Sequence, residues 1–165
     1  MKRALYLAAV AVVLVAGWLV LRTPGFGPAP ESSFVLLDGS RQTTADFRGR
    51  VVLVNFWATT CTSCVAEMPK LIATYDKYRD KGFDTVAVAM SYDPPSYVVQ
   101  FTQTRKLPFK VAIDNTGTVA SAWGDVRLTP TTYLVNMKGE IVKRYVGEPD
   151  FDDLHRLIEA LLAEA

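Results

Sequence analysis

The sequence predicts an α/β domain carried behind a single apolar helix. Three observations point there. Ala4–Leu21 is an uncharged run of 18 residues. Two nearly all-apolar stretches, Val51–Trp57 and Phe83–Met90, flank an amphipathic one at Lys70–Lys81. The two cysteines of the chain, Cys61 and Cys64, fall just past the first apolar stretch.

The N-terminal run comes first. At about 1.5 Å rise per residue, a helix over Ala4–Leu21 just crosses a hydrocarbon core, which takes about 17–25 residues. Lys2 and Arg3 precede it, and a cleaved signal peptide also begins with basic residues. Such a peptide has a shorter apolar segment, about 7–15 residues, and ends in a small-x-small cleavage site. This run instead ends Trp18-Leu19-Val20-Leu21-Arg22 and leads into "TPGFGPAP". A buried core helix would carry a polar stripe, which is missing. The expectation is a retained anchor over residues 1–22, with a cleaved signal as the alternative. Two basic residues before the run and only Arg22 closely after it place the N-terminus in the cytoplasm and the remainder outside.

Thr23–Pro30 holds three prolines and two glycines and reads as a short stiff tether. The expected division is therefore a tether at 23–32 and one domain at 33–165. With 50% hydrophobic residues the chain can build one core and has little room for a second. Setting aside Lys2, Arg3 and Arg22 leaves 15 basic residues against all 17 acidic ones, a net of −2. No basic face suggests nucleic acid.

Val51–Trp57 has the pattern of a strand buried on both faces. "KLIATYDKYRDK", Lys70–Lys81, sets Leu71, Ile72, Tyr75 and Tyr78 against charges and is predicted helical, ending at Gly82. Phe83–Met90 is the second strand. Strand, helix, strand at this length is a right-handed βαβ unit with parallel strands. The cysteines then lie at the carboxyl end of the first strand, where chemistry collects in open α/β sheets.

A bridge across two intervening residues restrains the unfolded chain very little, so it makes a poor staple. Outside the cytoplasm disulfides persist, and this one reads as a bond meant to open. A helix start favours thiolate over thiol. Cys61, in the first turn, is expected to have a depressed pKa and to be the exposed nucleophile. Cys64, one turn on, would face inward and attack the mixed disulfide that Cys61 forms. Zinc sites commonly combine four Cys or His, whereas this chain has two cysteines and one distant histidine, His155; no metal is expected.

Beyond the βαβ unit, Trp123 after Thr118–Ala122 reads as packing. Thr131–Met137 and Glu140–Val146 form a hairpin around Lys138-Gly139. Phe151–Ala163 is a final amphipathic helix, with His155 at its surface or lightly packed. Met68 and Met90 read as core filler rather than copper ligands. There is no internal repeat and no nucleotide-binding glycine loop, so no cofactor is expected.

"NFWATTCTSCVAEMP" together with "LTPTTYLVNMKGEIVKRYVG" resembles the thioredoxin superfamily, specifically its membrane-anchored TlpA/ResA-like thiol-disulfide oxidoreductases, over about residues 34–162. The resemblance implies a thioredoxin fold: a central mixed sheet flanked by helices. It adds an N-terminal β extension (Phe34–Leu37 and Arg41–Thr43 around Asp38-Gly39-Ser40) and a central insertion, about Pro94–Val119. It implies a bacterial inner-membrane protein with its catalytic domain in the periplasm. Expected partners are oxidised client proteins, such as apocytochrome c or copper-site proteins, and an upstream membrane thiol donor. Pro130 falls at the position of the superfamily's cis-proline facing the cysteines, and the Thr129 backbone there would pair with an extended client. Glu67 falls where these reductases keep a glutamate near the buried cysteine. Three residues after Cys64, it is a neighbour on one helix face and could move that thiol's proton. The alternative is a solvated glutamate favoured by the helix dipole. Asn55 stands where thioredoxin itself has a buried aspartate, which makes Glu67 the better proton carrier.

Two departures bear on potential and partner surface. Thr60 replaces the tryptophan that commonly precedes the first cysteine, and Thr62-Ser63 fills the space between the cysteines. Trp57, Thr60 and Thr129 are the expected client-facing residues, with Trp57 open between core and cleft wall. Pro69 removes one hydrogen bond inside the first helix. Ala58 occupies the place where thioredoxin-fold peroxidases carry threonine. Three classes stay open: a dithiol reductase, an oxidase or isomerase on the same fold, and a non-enzymatic copper-handling module.

Overall fold

The computed structural model describes residues 26–164. The expected anchor lies outside these residues, and no described helix is long and apolar enough to cross a membrane. In chain order the strands are β1 (Gly27–Pro28), β2 (Ser33–Val35), β3 (Arg41–Thr43), β4 (Val51–Trp57), β5 (Phe83–Ala89), β6 (Lys110–Ile113), β7 (Thr131–Val135) and β8 (Glu140–Val146). The helices are α1 (Thr62–Tyr78), α2 (Pro95–Arg105), α3 (Thr118–Ala122) and α4 (Phe151–Ala163).

Every residue of β4 and β5 is buried, as continuous apolar runs with helices on both sides require. They form the middle of a six-stranded sheet of order β1-β8-β7-β4-β5-β6. Strands β4, β5 and β6 are parallel; β7 runs antiparallel to β4, and β8 to β7. This is the mixed thioredoxin sheet. The register Phe56↔Thr131↔Val146 brings three ends to one edge: the carboxyl end of β4, the amino end of β7 and the carboxyl end of β8.

Alternation divides the core. Val52, Val54 and Phe56 pack with Phe34, Phe47 and Trp123 on one face of β4. Val51, Leu53 and Trp57 pack on the other with Leu71 of α1 and Leu154 and Ile158 of α4. Burying one such side chain is worth about 1.5–3 kcal/mol. Helix α4 has the bounds its amphipathic pattern predicts, capped by Asp150, whose carboxylate accepts from the Asp152 and Asp153 N–H groups. Its His155 is lightly packed, with Nε2 2.9 Å from Thr74 Oγ1. Burial, and then Lys77, lower its pKa. Met68, Met90 and Trp123 are core residues.

The N-terminal extension is the hairpin β2–β3, fastened to the sheet by the Leu36–Ala112 bridge. The central insertion supplies α2 and the parallel edge strand β6. Part of the expected tether is folded. Gly27 and Pro28 pair with Ile141 and Glu140, and Ala29 is buried and donates to the Gly139 carbonyl. An edge strand tolerates Pro28, which has no N–H to give, so the folded structure reaches back past Ser33 to include Gly27 and Pro28. The helix predicted over Lys70–Lys81 is the distal part of the longer α1, closed by a 3-10 turn at Arg79–Lys81 and by left-handed Gly82.

Candidate active site

Strand β4 ends at Trp57, and a turn closed by the Cys61 N–H on the Ala58 carbonyl (3.2 Å) carries the chain into α1. Cys61 is the N-cap of that helix; its sulfur accepts the Cys64 N–H at 3.2 Å and lies 3.5 Å from Ser63 Oγ. The first turn of α1 contains no acidic residue to offset the positive end of the dipole. Cys61 and Cys64 are joined by a disulfide. The two sulfurs occupy unlike places: Cys61 is half-buried at the sheet edge, whereas Cys64 is fully buried among Trp57, Met68 and Leu71. That asymmetry suits one sulfur for attack by or on a partner and the other for an internal role.

One turn beyond Cys64 lies Glu67, with 0% of its surface exposed, which rules out the solvated alternative. Burial pushes its pKa to about 7, against a hydrogen bond from Asn55 that pulls it down. Asn55 Nδ2 donates to Glu67 Oε1 at 3.0 Å and to Thr132 Oγ1 at 2.9 Å, so β4 and β7 together hold the carboxyl against α1. Alternation along the strands explains the meeting: Asn55 shares a face with Leu53 and Trp57, and Thr132 shares one with Leu134. Glu67 Oε2 and Asn55 Oδ1 are buried without partners. A proton on the carboxyl removes the cost of burying an unpaired charged acceptor at Oε2, which agrees with its raised pKa.

The Thr129–Pro130 peptide is cis. Pro130 lies one residue beyond the Phe56↔Thr131 pair, at the edge where β4 leads toward the cysteines. Thr129 is half-buried, and its Oγ1 lies 3.2 Å from the Tyr92 hydroxyl. Thr60 is exposed beside Cys61. Among the described residues, three of the six exposed large apolar side chains, Tyr92, Leu128 and Val146, lie in loops or at a strand end at this same edge. They form an apolar rim of the sort that contacts protein partners.

One expected client-facing residue is misplaced. Trp57 is 0% exposed, its ring 5.1 Å from that of Phe101, so it belongs to the core. Helix α2, whose position β4 cannot reveal, covers it. Conversely, sequence reasoning passed over Tyr92, Asp93 and Thr132. In "SYDPP" an aspartate before prolines reads only as a turn residue, and Thr132 reads only as a strand residue. Among the described residues no group of three or more His, Cys, Asp or Glu is placed to hold a metal.

The Redoxin family profile matches residues 27–158. The thiol-disulfide oxidoreductase ResA of Geobacillus thermodenitrificans is 31% identical over 159 residues, covering 95% of this chain and 90% of that protein. The solution structure of a Neisseria meningitidis protein assigned as a thioredoxin superposes with a TM-score of 0.78 at 42% identity, over 83% of this chain and 91% of that one. A crystal structure from Chlorobium tepidum, assigned as a thiol:disulfide interchange protein DsbE, gives 0.76 at 28% identity, over 84% and 97%.

Proposed function

The chain belongs to the redoxin family, as a ResA-like thiol-disulfide oxidoreductase of the thioredoxin superfamily, and on that premise we propose that it is a membrane-tethered reductase of client disulfides outside the cytoplasm. The observation that carries this reading is the pairing of a half-buried Cys61 at the helix start with a buried Cys64 one turn from the buried carboxyl of Glu67.

In the reduced protein the Cys61 thiolate attacks one sulfur of a client disulfide. The client S–S bond breaks, its second sulfur leaves as a thiolate that takes a proton from water, and a Cys61–client bond forms. Glu67 then accepts the Cys64 proton. The Cys64 thiolate attacks Cys61 sulfur and expels the client's remaining thiolate. Two electrons have passed to the client, and Cys61–Cys64 is the disulfide. A glutamate with a pKa of about 7 suits this proton transfer near neutral pH. The Thr129 backbone, beside cis Pro130, pairs with the extended client segment, while Thr60, Tyr92, Leu128 and Val146 meet its side chains. Likeness to the TlpA/ResA-like group supports apocytochrome c or copper-site proteins as the client classes and a membrane thiol donor as the source that restores the dithiol.

Direction of electron flow is tested by equilibrating the domain with glutathione buffers. A reductase is expected to have a potential more negative than about −200 mV, whereas a value near about −120 mV would assign it to dithiol oxidation. The anchor is tested by fractionation and N-terminal sequencing of the mature protein. We expect it to resist salt washing and to retain Ala4–Leu21. A protein that begins after residue 21 and washes off with salt would remove the tether from the proposal.

A further inference from the structure

The loop Ser91–Pro94 offers Tyr92 to the client, and through Asp93, which has no part in the exchange steps above, it is wired to the segment that presents Cys61. Asp93 is 2% exposed. Its Oδ2 accepts the Thr59 N–H at 2.6 Å and its Oδ1 accepts the Thr59 hydroxyl at 2.5 Å. Thr59 lies inside the Ala58–Cys61 turn, two residues before the nucleophile. The loop is itself fixed, by the Met90 N–H on the Trp57 carbonyl and the Asp93 N–H on the Met90 carbonyl. A purely local aspartate would bond within its own loop, as Asp residues in turns do. This one instead spends both oxygens on a residue 34 positions earlier in the chain. Letting go would leave a carboxylate buried without partners, which is costly, so the restraint on the turn is firm.

We propose that Asp93 is a positioning residue for Cys61: by gripping Thr59 at two atoms it fixes the turn that sets the Cys61 sulfur on the amino end of α1. The inference rests on the assignment of Cys61 as the nucleophile. Without the grip, the turn samples other geometries and the sulfur spends less time where the helix start stabilises its thiolate. Cys61 then reacts more slowly, and the disulfide becomes harder to reduce, because the reduced form loses that stabilisation.

Position and charge can be separated. Asp93→Ala removes both. Asp93→Asn removes the charge but keeps both contacts, with its oxygen accepting the Thr59 N–H and its amide donating to the hydroxyl. Thr59→Val keeps the charge and loses one contact; Thr59→Ser keeps both. We would measure alkylation of Cys61 at neutral pH and the glutathione potential, on the fully reduced domain below its melting temperature. Asp93→Ala and Thr59→Val are expected to slow alkylation about three- to tenfold and make the potential more negative, while Asp93→Asn and Thr59→Ser stay within about twofold of the parent or faster. Rates for Asp93→Ala and Thr59→Val equal to the parent's would overturn the proposal. So would Asp93→Ala and Asp93→Asn moving together, which would locate the effect in the charge. If Asp93→Ala does not fold, the Thr59 pair decides alone. Alkylation needs no client, so a parent protein that alkylates normally yet reduces no protein disulfide would sink the functional reading and leave this one standing.

Discussion

Cys61→Ala and Cys64→Ala are each expected to lower disulfide reduction by about a thousandfold or more, to the level of free thiols in the assay. They should differ in what accumulates. Without Cys61 no sulfur reaches the client, because Cys64 is fully buried behind it, and no mixed disulfide forms. Without Cys64 the attack still occurs, but the Cys61–client bond has nothing to resolve it, so client-linked protein builds up. The same asymmetry predicts that in the reduced parent Cys61 alkylates much faster than Cys64, by burial of the second sulfur and by the position of the first at the N-cap. Equal alkylation rates would remove the assigned roles. Expressed in the native host, the Cys64→Ala protein also answers what the geometry leaves general: mass spectrometry of the trapped adducts names the clients.

How much of this was legible beforehand depends on what each residue needs in order to be understood. Strands β4 and β5 declare themselves because burial on both faces demands an unbroken apolar run, and α4 because half its surface must stay wet. The C-x-x-C pair at a strand-to-helix junction needs only local reasoning. Residues whose state is decided by a distant neighbour are different. "TPGFGPAP" has the composition of a linker, and only the open edge of β8 turns Gly27 and Pro28 into a strand. Trp57 is apolar at a strand end, where a cleft wall and a core residue look alike until Phe101 is seen to cover it. Asp93 carries no periodic signal at all, since its partner is 34 residues away. Glu67 is the intermediate case. Its helical offset from Cys64 was visible, but its burial depends on Asn55 and Thr132 closing over it from two strands.

Glu67 also carries the sharpest conflict between stability and activity in the molecule, and Glu67→Gln should expose both sides. Glutamine is isosteric with the protonated acid and its oxygen can still accept from Asn55. In the folded protein the carboxyl titrates at about 7 against an ordinary 4.5. Between those values the native state holds a proton that the unfolded chain has lost, so stability falls as pH rises through the window. A shift of that size amounts to about 3 kcal/mol, with the full penalty in force above pH 7 and none below about pH 4.5. The oxidised Glu67→Gln protein should therefore be more stable than the parent at pH 8, by up to about 3 kcal/mol, with the gap closing as the pH falls from about 7 to about 4.5. Urea unfolding at pH 4, 6 and 8 reads this directly. Activity should move the other way. With no base beside it, Cys64 must lose its proton to water, and single-turnover resolution of a mixed disulfide should slow by roughly a hundredfold, the lower end of what a positioned base contributes. The pH profile of Cys61 alkylation should lose the influence of a group titrating with the thiols. Unchanged resolution rates and superimposable profiles would reduce Glu67 to an internal strut, and a gap in stability that does not depend on pH would mean that its carboxyl is not the buried titrating group. If the two effects appear together, the protein keeps a destabilising carboxyl in its core because the second half of the exchange depends on it, the pattern expected where function overrides packing.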